Sequence, residues 1–325
     1  MSLEEVKGIG PITSEKLIEA GIKTVDELSV RRPEEIKEIL GVTLKKAKEI
    51  ILSAKDLAFK DFQVFTAEEY KEKEKEISRF LDTGSNKLNS LLGGGWKSQS
   101  TYGIYGPFST GKTQLCYTAV VNCVDQGYYA FWIETEPNTV YIPRLEEIAK
   151  NRDLNLDLNK VIVIPASKIG TIFSQFRAYE FLRRKAEEEK WDVGLLVVDS
   201  FTAKFRRNYS GREMYPERAR EFGRHIDYLE EFSKRFNSVV LLTFQVGVTP
   251  DAPGQREDLM RFQSEYYPYG GTLVQHNINV WLSLNQVKGG AKSMDIYELN
   301  LVDHSYLPKG SIRFMITDRG IEDAL

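Results

Sequence analysis

Along the first sixty positions apolar residues recur every three to four places. In "VKGIGPITSEKLIEAGIKTVDELSVRRPEEIKEILGVTLKKAKEIILSAKDL" they are spaced by charged residues and interrupted at Gly8, Gly10, Gly21, Pro33 and Gly41. This spacing predicts short amphipathic helices separated by glycine and proline turns. From Leu81 onward the pattern changes. Short apolar runs at 101–105, 129–135, 160–166, 193–200 and 238–246 alternate with stretches of helical spacing. Such alternation predicts an α/β domain with a mainly parallel sheet. Towards the C-terminus "INVWLSLNQV", "SMDIYELNLVD" and "SIRFMITDRG" read as strands joined by short turns, expected to extend the sheet in the antiparallel sense. Between the two patterns lies "DFQVFTAEEYKEKEKEISRF", whose Glu/Lys alternation suits a helical or mobile linker. The expected organisation is a helical domain over 1–60, a linker over 61–80 and an α/β core over 81–325.

The predicted strands of the core end on reactive side chains. The first runs into "GPFSTGKTQL", residues 106–115, which fits G-x-x-x-x-G-K-[S/T] with Gly106, Gly111, Lys112 and Thr113 at the fixed places. Glycines let the backbone curl so that its N–H groups converge on phosphate. The lysine neutralises the β and γ phosphates, the threonine hydroxyl ligates Mg²⁺, and the phosphates rest on a helix N-terminus. "TYGIYG" before it suits a strand, and "KTQLCYTAVVNCVDQG" after it suits a helix stopped by glycine. ATP with Mg²⁺ is therefore the expected ligand, contacted by Gly106, Pro107, Phe108, Ser109, Thr110, Gly111, Lys112, Thr113 and Gln114.

Three more strand ends complete the constellation. Asp199 closes "LLVVDS", the place for a carboxylate that holds Mg²⁺ through water. "FWIETEP" ends on Glu134 and Glu136, which strand alternation would put on one face, with Thr135 opposite. One of them can position and deprotonate a water, and the other can be structural. Gln245 in "LLTFQV" could contact the γ-phosphate and report its loss.

Composition narrows the class. The chain has 325 residues, 42% hydrophobic and 28% charged, with a net charge of −3, so it can bury a large core and carries no global basic signature. Nucleic-acid binding must then come from local patches. Cys116 and Cys123 lie seven apart on the helix after the loop, without metal-ligand spacing or a disulfide framework. They read as buried apolar residues in a reduced compartment. No apolar run reaches spanning length and "MSLEEVKGIG" lacks a signal-peptide core, so a cytoplasmic protein with no membrane role is expected.

The order P-loop, "TE", "VVDS", "FQV", preceded by "DTGSNKLNSLLGGGW", resembles the RadA recombinases, archaeal members of the RecA/Rad group. "FRRNYSGRE", "TPDAPG", "YGGTL", "DHSYLPKGS" and "ITDRGIED" extend the resemblance over nearly the whole chain. It implies a RecA-like P-loop ATPase core and ATP-dependent filaments, helical or ring-like, on single-stranded DNA, with pairing to double-stranded DNA, strand exchange and association with the nucleoid. By the same resemblance Glu136 is the catalytic glutamate, assisted by Lys112 and Gln245, and Gln245 couples ATP to a DNA-binding loop. Arg144 stacks on adenine, and Asp303 to Pro308 cap the ATP of a neighbouring subunit. The "GIG" and "LGV" turns resemble paired helix-hairpin-helix units, and a plain helical packing module reads equally well. DNA is expected at "FRRNYSGRE", through Arg206, Arg207, Tyr209 and Arg212, and in the long segment 247–269 with Arg256 and Arg261.

The chain departs from the family pattern in places. "ETEP" stands for the usual "DTEG", Thr272 follows Gly271 where histidine is usual, and "DHSYLP" replaces Asp-Ala/Ser-Pro-His. The self-association motif Phe-x-x-Ala is out of step: Phe65 has Glu68 at its fourth place, and Ala67 pairs with Val64. Phe65 and Ala67 are the expected contacts. An active recombinase, or a relative that binds ATP and DNA but mainly regulates or assists recombination, are the two functions this pattern allows.

Overall fold

The computed structural model describes residues 2–61, 63–209, 211–247, 267–270, 277–287 and 295–324. The chain divides into two units, Met1–Glu76 and Ile77–Leu325.

In the first unit the punctuation seen in the sequence sets the helices. Pro11 starts α1 (Pro11–Glu19). Thr24 caps α2 (Val25–Ser29) in a reciprocal box with Glu27. Pro33 starts α3 (Pro33–Leu40), and Gly41 ends it in the left-handed region at φ 67°. Thr43 caps α4 (Leu44–Ala58). Their apolar stripes close on one core that includes Leu17, Leu28, Ile36 and Ile50. The Glu/Lys segment is largely helical: α5 (Ala67–Ile77) buries no residue, and Thr66 and Glu69 cap it reciprocally.

The second unit opens with β1 (Phe80–Leu81), α6 (Asn86–Leu91) and β2 (Trp96–Lys97), the two strands forming a small antiparallel pair. Then come β3 (Ser100–Tyr105), α7 (Lys112–Asp125), β4 (Tyr129–Glu134), α8 (Ile142–Arg152), β5 (Val161–Ile164) and α9 (Ile172–Glu189). β6 (Val193–Asp199), α10 (Ala203–Asn208), α11 (Tyr215–Arg235) and β7 (Val239–Phe244) follow. The chain closes with β8 (Val246–Gly247), β9 (Tyr267–Pro268), β10 (Val280–Val287), β11 (Ile296–His304), β12 (Gly310–Thr317) and β13 (Gly320–Asp323). Nine strands form one sheet in the order β13-β12-β11-β10-β3-β7-β6-β4-β5. Alternate residues of the central strands feed two cores. Trp132, Val197 and Leu241 pack towards α6, α7 and α8, and Phe131, Val198 and Leu242 pack towards α9, α10 and α11. This two-sided burial explains why these strands read as unbroken apolar runs.

The expected antiparallel pairing of the last strands with one another is observed, but their junction with the rest of the sheet is parallel. β10 pairs parallel with β3 on one side and antiparallel with β11 on the other, so that β10, β11, β12 and β13 form the antiparallel meander and β10 joins it to the parallel strands. Val280 to Leu284 are all buried, whereas β11 and β12 alternate in exposure; this burial marks β10 as part of the covered centre of the sheet, and its direction is set by the connection that brings the chain to it. β3, β7, β6 and β4 are mutually parallel, so their C-terminal ends share one edge of the sheet. Loops leaving that edge are where an open α/β sheet places ligands.

Candidate nucleotide site

The loop from β3 to α7 can only be built with glycine at two places. A Cβ on Gly106 would lie 2.2 Å from the Leu284 carbonyl oxygen. Gly111 has φ +94°, and a Cβ there would meet Ile316 Cδ1 at 2.9 Å. The loop tightens further through Thr110, whose hydroxyl donates to the Pro107 carbonyl at 2.9 Å. Lys112 Nζ donates to the carbonyls of Gly106 at 2.9 Å and Pro107 at 2.7 Å, so its ammonium rests on the loop. Burial holds the Lys112 pKa below its usual value, while the charges of Asp199 and Glu136 pull it up. Phe108 stands almost fully exposed at the loop's tip.

Asp199, at the end of β6, is buried. Its Oδ2 accepts from Thr113 Oγ1 at 2.8 Å, and its Oδ1 accepts from Thr243 on β7. Burial raises the Asp199 pKa, and the two hydroxyls and the Lys112 charge oppose that rise. Thr243 escaped the sequence reading, although a lone hydroxyl within "VVLLTF" was the available signal.

The two glutamates do not share a face, because β4 ends at Glu134 and its alternation stops there. Glu134 accepts the backbone N–H of Thr139 at 2.9 Å, of Val140 at 3.3 Å and of Ala166 at 2.9 Å. It braces the turn after β4. Glu136 instead lines the cavity, and its Oε1 accepts from Gln245 Nε2 at 2.8 Å. Burial raises its pKa, with Asp199 adding to the rise; Gln245, Arg207 and Lys112 work against it. Gln245 Oε1 in turn accepts from Arg206 at 2.8 Å. The cavity, ≈ 480 Å³, is thus lined by the loop, Thr113, Gln114, Glu136, Asp199, Arg206 and Gln245. Arg206, expected on DNA, faces the nucleotide cavity because α10 starts directly beyond the end of β6.

The remaining candidates fall around this centre. Arg144 on α8 lies outside the cavity lining; it donates to Gln114 Oε1 at 2.9 Å and to the Thr317 carbonyl, tying α8 to the β12–β13 turn. Asp303 and Pro308 are exposed and away from the cavity. Tyr209 corrects another expectation: it is buried among the aromatic residues beneath α10 and α11, so its ring has no surface to offer a base. Arg207 is exposed. Arg212 starts a 3₁₀ turn, Arg212–Met214. Arg256, Arg261 and Thr272 lie outside the described residues. The sequence reading also missed Tyr269, which is flanked by the guanidinium groups of Arg206 at 5.6 Å and Arg218 at 4.9 Å. Cys116 and Cys123 are buried and free. In the first unit Phe65 is partly exposed beside Tyr70, and Ala67 is the first residue of α5.

Residues 73–324 match the Rad51 family, and residues 1–56 match the SAM-like helix-hairpin-helix tandem. Among curated proteins the chain is similar to the DNA repair and recombination protein RadA of Ignicoccus hospitalis. The two are 32% identical over 335 residues, covering 99% of this chain and 95% of that one.

Proposed function

The chain belongs to the Rad51 family, and on that premise we propose that it is an ATP-dependent DNA recombinase. In this reading it forms filaments on single-stranded DNA and promotes homologous pairing and strand exchange in recombinational repair. The observation that carries the reading is the convergence of Lys112, Thr113, Asp199, Glu136 and Gln245, from four parallel strand ends, on one cavity.

The residues suit a nucleotide triphosphate with Mg²⁺. A side chain at 106 would collide with the Leu284 carbonyl and Thr110, one at 111 would press on Ile316, one ammonium lies on the loop, and a hydroxyl sits against a buried carboxylate. The loop amides and Lys112 would hold the phosphates; Thr113 would ligate the ion directly, and Asp199 through water. The bound ion supplies neutralisation of phosphate charge. Glu136, with its raised pKa and open carboxylate face, is the group to hold a water and take its proton. Gln245 links that carboxylate to α10. Arg144 is assigned to the adenine, and Asp303 to Pro308 to the nucleotide of a neighbouring copy.

DNA contacts are assigned to Arg206, Arg207, Arg212, Arg256 and Arg261, and self-association to Phe65 with Ala67. Among the described residues no helix is long and apolar enough to cross a membrane. A cytoplasmic site of action on the nucleoid is part of the proposal. Strand exchange between homologous oligonucleotides with ATP and Mg²⁺ tests it. Exchange product is expected. ATP and DNA binding without product would instead indicate a relative that assists recombination.

A further inference from the structure

The hydrogen bonds that end on Glu136 begin on a residue outside the P-loop and the strand ends. Arg206 NH1 donates to Gln245 Oε1 at 2.8 Å, and Gln245 Nε2 donates to Glu136 Oε1 at 2.8 Å. A guanidinium can only donate and an ionised carboxylate can only accept. The amide between them is therefore held in one orientation, with its oxygen on Arg206 and its nitrogen on Glu136. The backbone of Gln245 is fixed separately: its N–H donates to Thr202 Oγ1 at 3.0 Å, and its carbonyl accepts from Tyr269 N at 2.8 Å. Only the side chain is left to change partner.

Arg206 is the end of the chain that a ligand can reach. It is exposed on α10, next to exposed Arg207. Besides the Tyr269 ring, which its guanidinium faces at 5.6 Å, its hydrogen-bond partner is a neutral amide oxygen, a weaker acceptor than a phosphodiester oxygen, because charge-assisted bonds to an anion are roughly twice as strong. A phosphate arriving at Arg206 would therefore win it. Gln245 would lose the bond that orients its amide, and Glu136 would lose the donor that occupies it.

We propose that Arg206 is a positioning residue that keeps Glu136 engaged by Gln245 until a nucleic-acid phosphate draws the guanidinium away. Nucleic-acid binding would in this way release the carboxylate that handles the attacking water. The inference rests on the ATPase reading given above.

The test is steady-state ATP hydrolysis, with kcat and KM, at zero and at saturating single-stranded oligothymidylate. The proteins are the wild type, Arg206→Ala, Arg206→Lys, Gln245→Ala and the Arg206→Ala/Gln245→Ala pair. Saturation is established for each protein by anisotropy. Arg206→Ala is expected to raise the DNA-free kcat by about fivefold or more, the lower range of ordinary coupling between sites, with KM for ATP unchanged and little further stimulation by DNA. Arg206→Lys keeps a donor and should retain most of the stimulation. In the Gln245→Ala background the Arg206 change should add nothing.

A DNA-free kcat unchanged in Arg206→Ala overturns the proposal and leaves Arg206 a DNA contact alone. A lower kcat with a raised KM makes it a nucleotide ligand and also overturns it. So does an Arg206 effect that persists without Gln245. In all three cases a wild type that hydrolyses ATP leaves the ATPase reading standing, whereas a wild type with no hydrolysis sinks both.

Discussion

Thr113 donates to Asp199 across 2.8 Å, from the first turn of α7 to the end of β6, and β7 lies between β3 and β6 in the sheet. The bond exists because the sheet order sets the P-loop helix beside a strand more than eighty residues away in sequence. Thr243, on the intervening β7, takes the other carboxylate oxygen. Both oxygens of a buried acid are thereby aimed before any ion arrives.

Thr113→Ala removes a proposed Mg²⁺ ligand and one of the two hydroxyls orienting Asp199. The Mg²⁺ concentration giving half-maximal ATP hydrolysis should rise by about tenfold or more, the scale seen when groups orienting a metal site are lost. Thr113→Ser should stay near the wild type because it keeps the hydroxyl. An unchanged Mg²⁺ requirement in the alanine variant would take Thr113 out of the ion's coordination.

Glu134 and Glu136 should fail in different ways. Glu136→Gln is expected to keep nucleotide binding and slow turnover by about two orders of magnitude, the usual scale for a lost general base. Glu134→Gln turns an amide NH₂ towards backbone donors that now point at carboxylate oxygens. Its cost should be ~1–3 kcal/mol of stability, read as a lower unfolding midpoint in urea. If Glu134→Gln lost turnover and Glu136→Gln lost stability, the two roles would have to be exchanged.

The parts of the fold that were legible in the sequence are those set by local rules. Apolar runs buried on both faces marked β3, β4, β6 and β7, and the spacing of glycines marked the P-loop. The direction of β10 was not legible, because a strand's sequence carries burial but not the end from which the chain enters the sheet. The split between Glu134 and Glu136 depended on where β4 stops, at Glu134 and two residues short of Glu136, so that alternation does not carry on to it. Tyr209 looked like a stacking residue beside arginines, and its burial comes from α11 packing over α10, a long-range event. Arg206 reads as a DNA contact in "FRRNYSGRE", and only the contact with Gln245 connects it to the nucleotide.

A buried histidine should shape stability against pH. His225 on α11 is enclosed by Phe176, Tyr179, Phe201 and Phe205, and its Nδ1 lies 3.4 Å from the Tyr179 hydroxyl. Burial, with a smaller push from Arg224, lowers its pKa from 6.5 to about 3. Below about pH 6.5 the unfolded chain takes up a proton there that the folded chain refuses. Stability from this residue is therefore complete above that pH, and it is lost progressively as pH falls towards the folded value. The slope for one proton is about 1.4 kcal/mol per pH unit. His225→Phe should flatten the curve between about pH 5 and 7 when urea unfolding of the two proteins is compared. Parallel curves for the two proteins would mean that His225 is protonated within the fold.

Arg207 should contribute to DNA affinity through charge. It is exposed, and it follows the arginine that faces the nucleotide. Losing one phosphate contact releases one counterion fewer. For single strands the slope of log affinity against log salt should then fall by roughly 0.7 in Arg207→Ala. Anisotropy titrations with labelled single-stranded DNA at several salt concentrations measure it. An unchanged slope would place Arg207 off the DNA path.

Self-association should turn on Phe65, and the structure shows what the residue does in the single chain. Its ring lies 6.4 Å from Tyr70, and Lys73 Nζ sits 4.2 Å above it. Phe65 therefore rests on its own helix α5, still 38% exposed, whereas Val64 beside it is 91% exposed. Glu68 stands where the family motif has a small residue, and its charge is met by Lys71 at 3.4 Å on the same helix. Docking Phe65 into an apolar pocket on another copy would require the ring to leave Lys73. That loss is small, since a cation–π contact at an exposed site is worth ~0.5–1 kcal/mol, against ~2 kcal/mol or more for a buried aromatic anchor. The net balance still favours assembly, by less than a free phenylalanine would give. Phe65→Ala should move the protein towards monomers in sizing experiments without ATP or DNA. Lys73→Ala should move it slightly the other way, because it frees the ring. If Val64→Ala dissociates the assembly and Phe65→Ala leaves it intact, the anchor is Val64 with Ala67, one residue earlier in the linker.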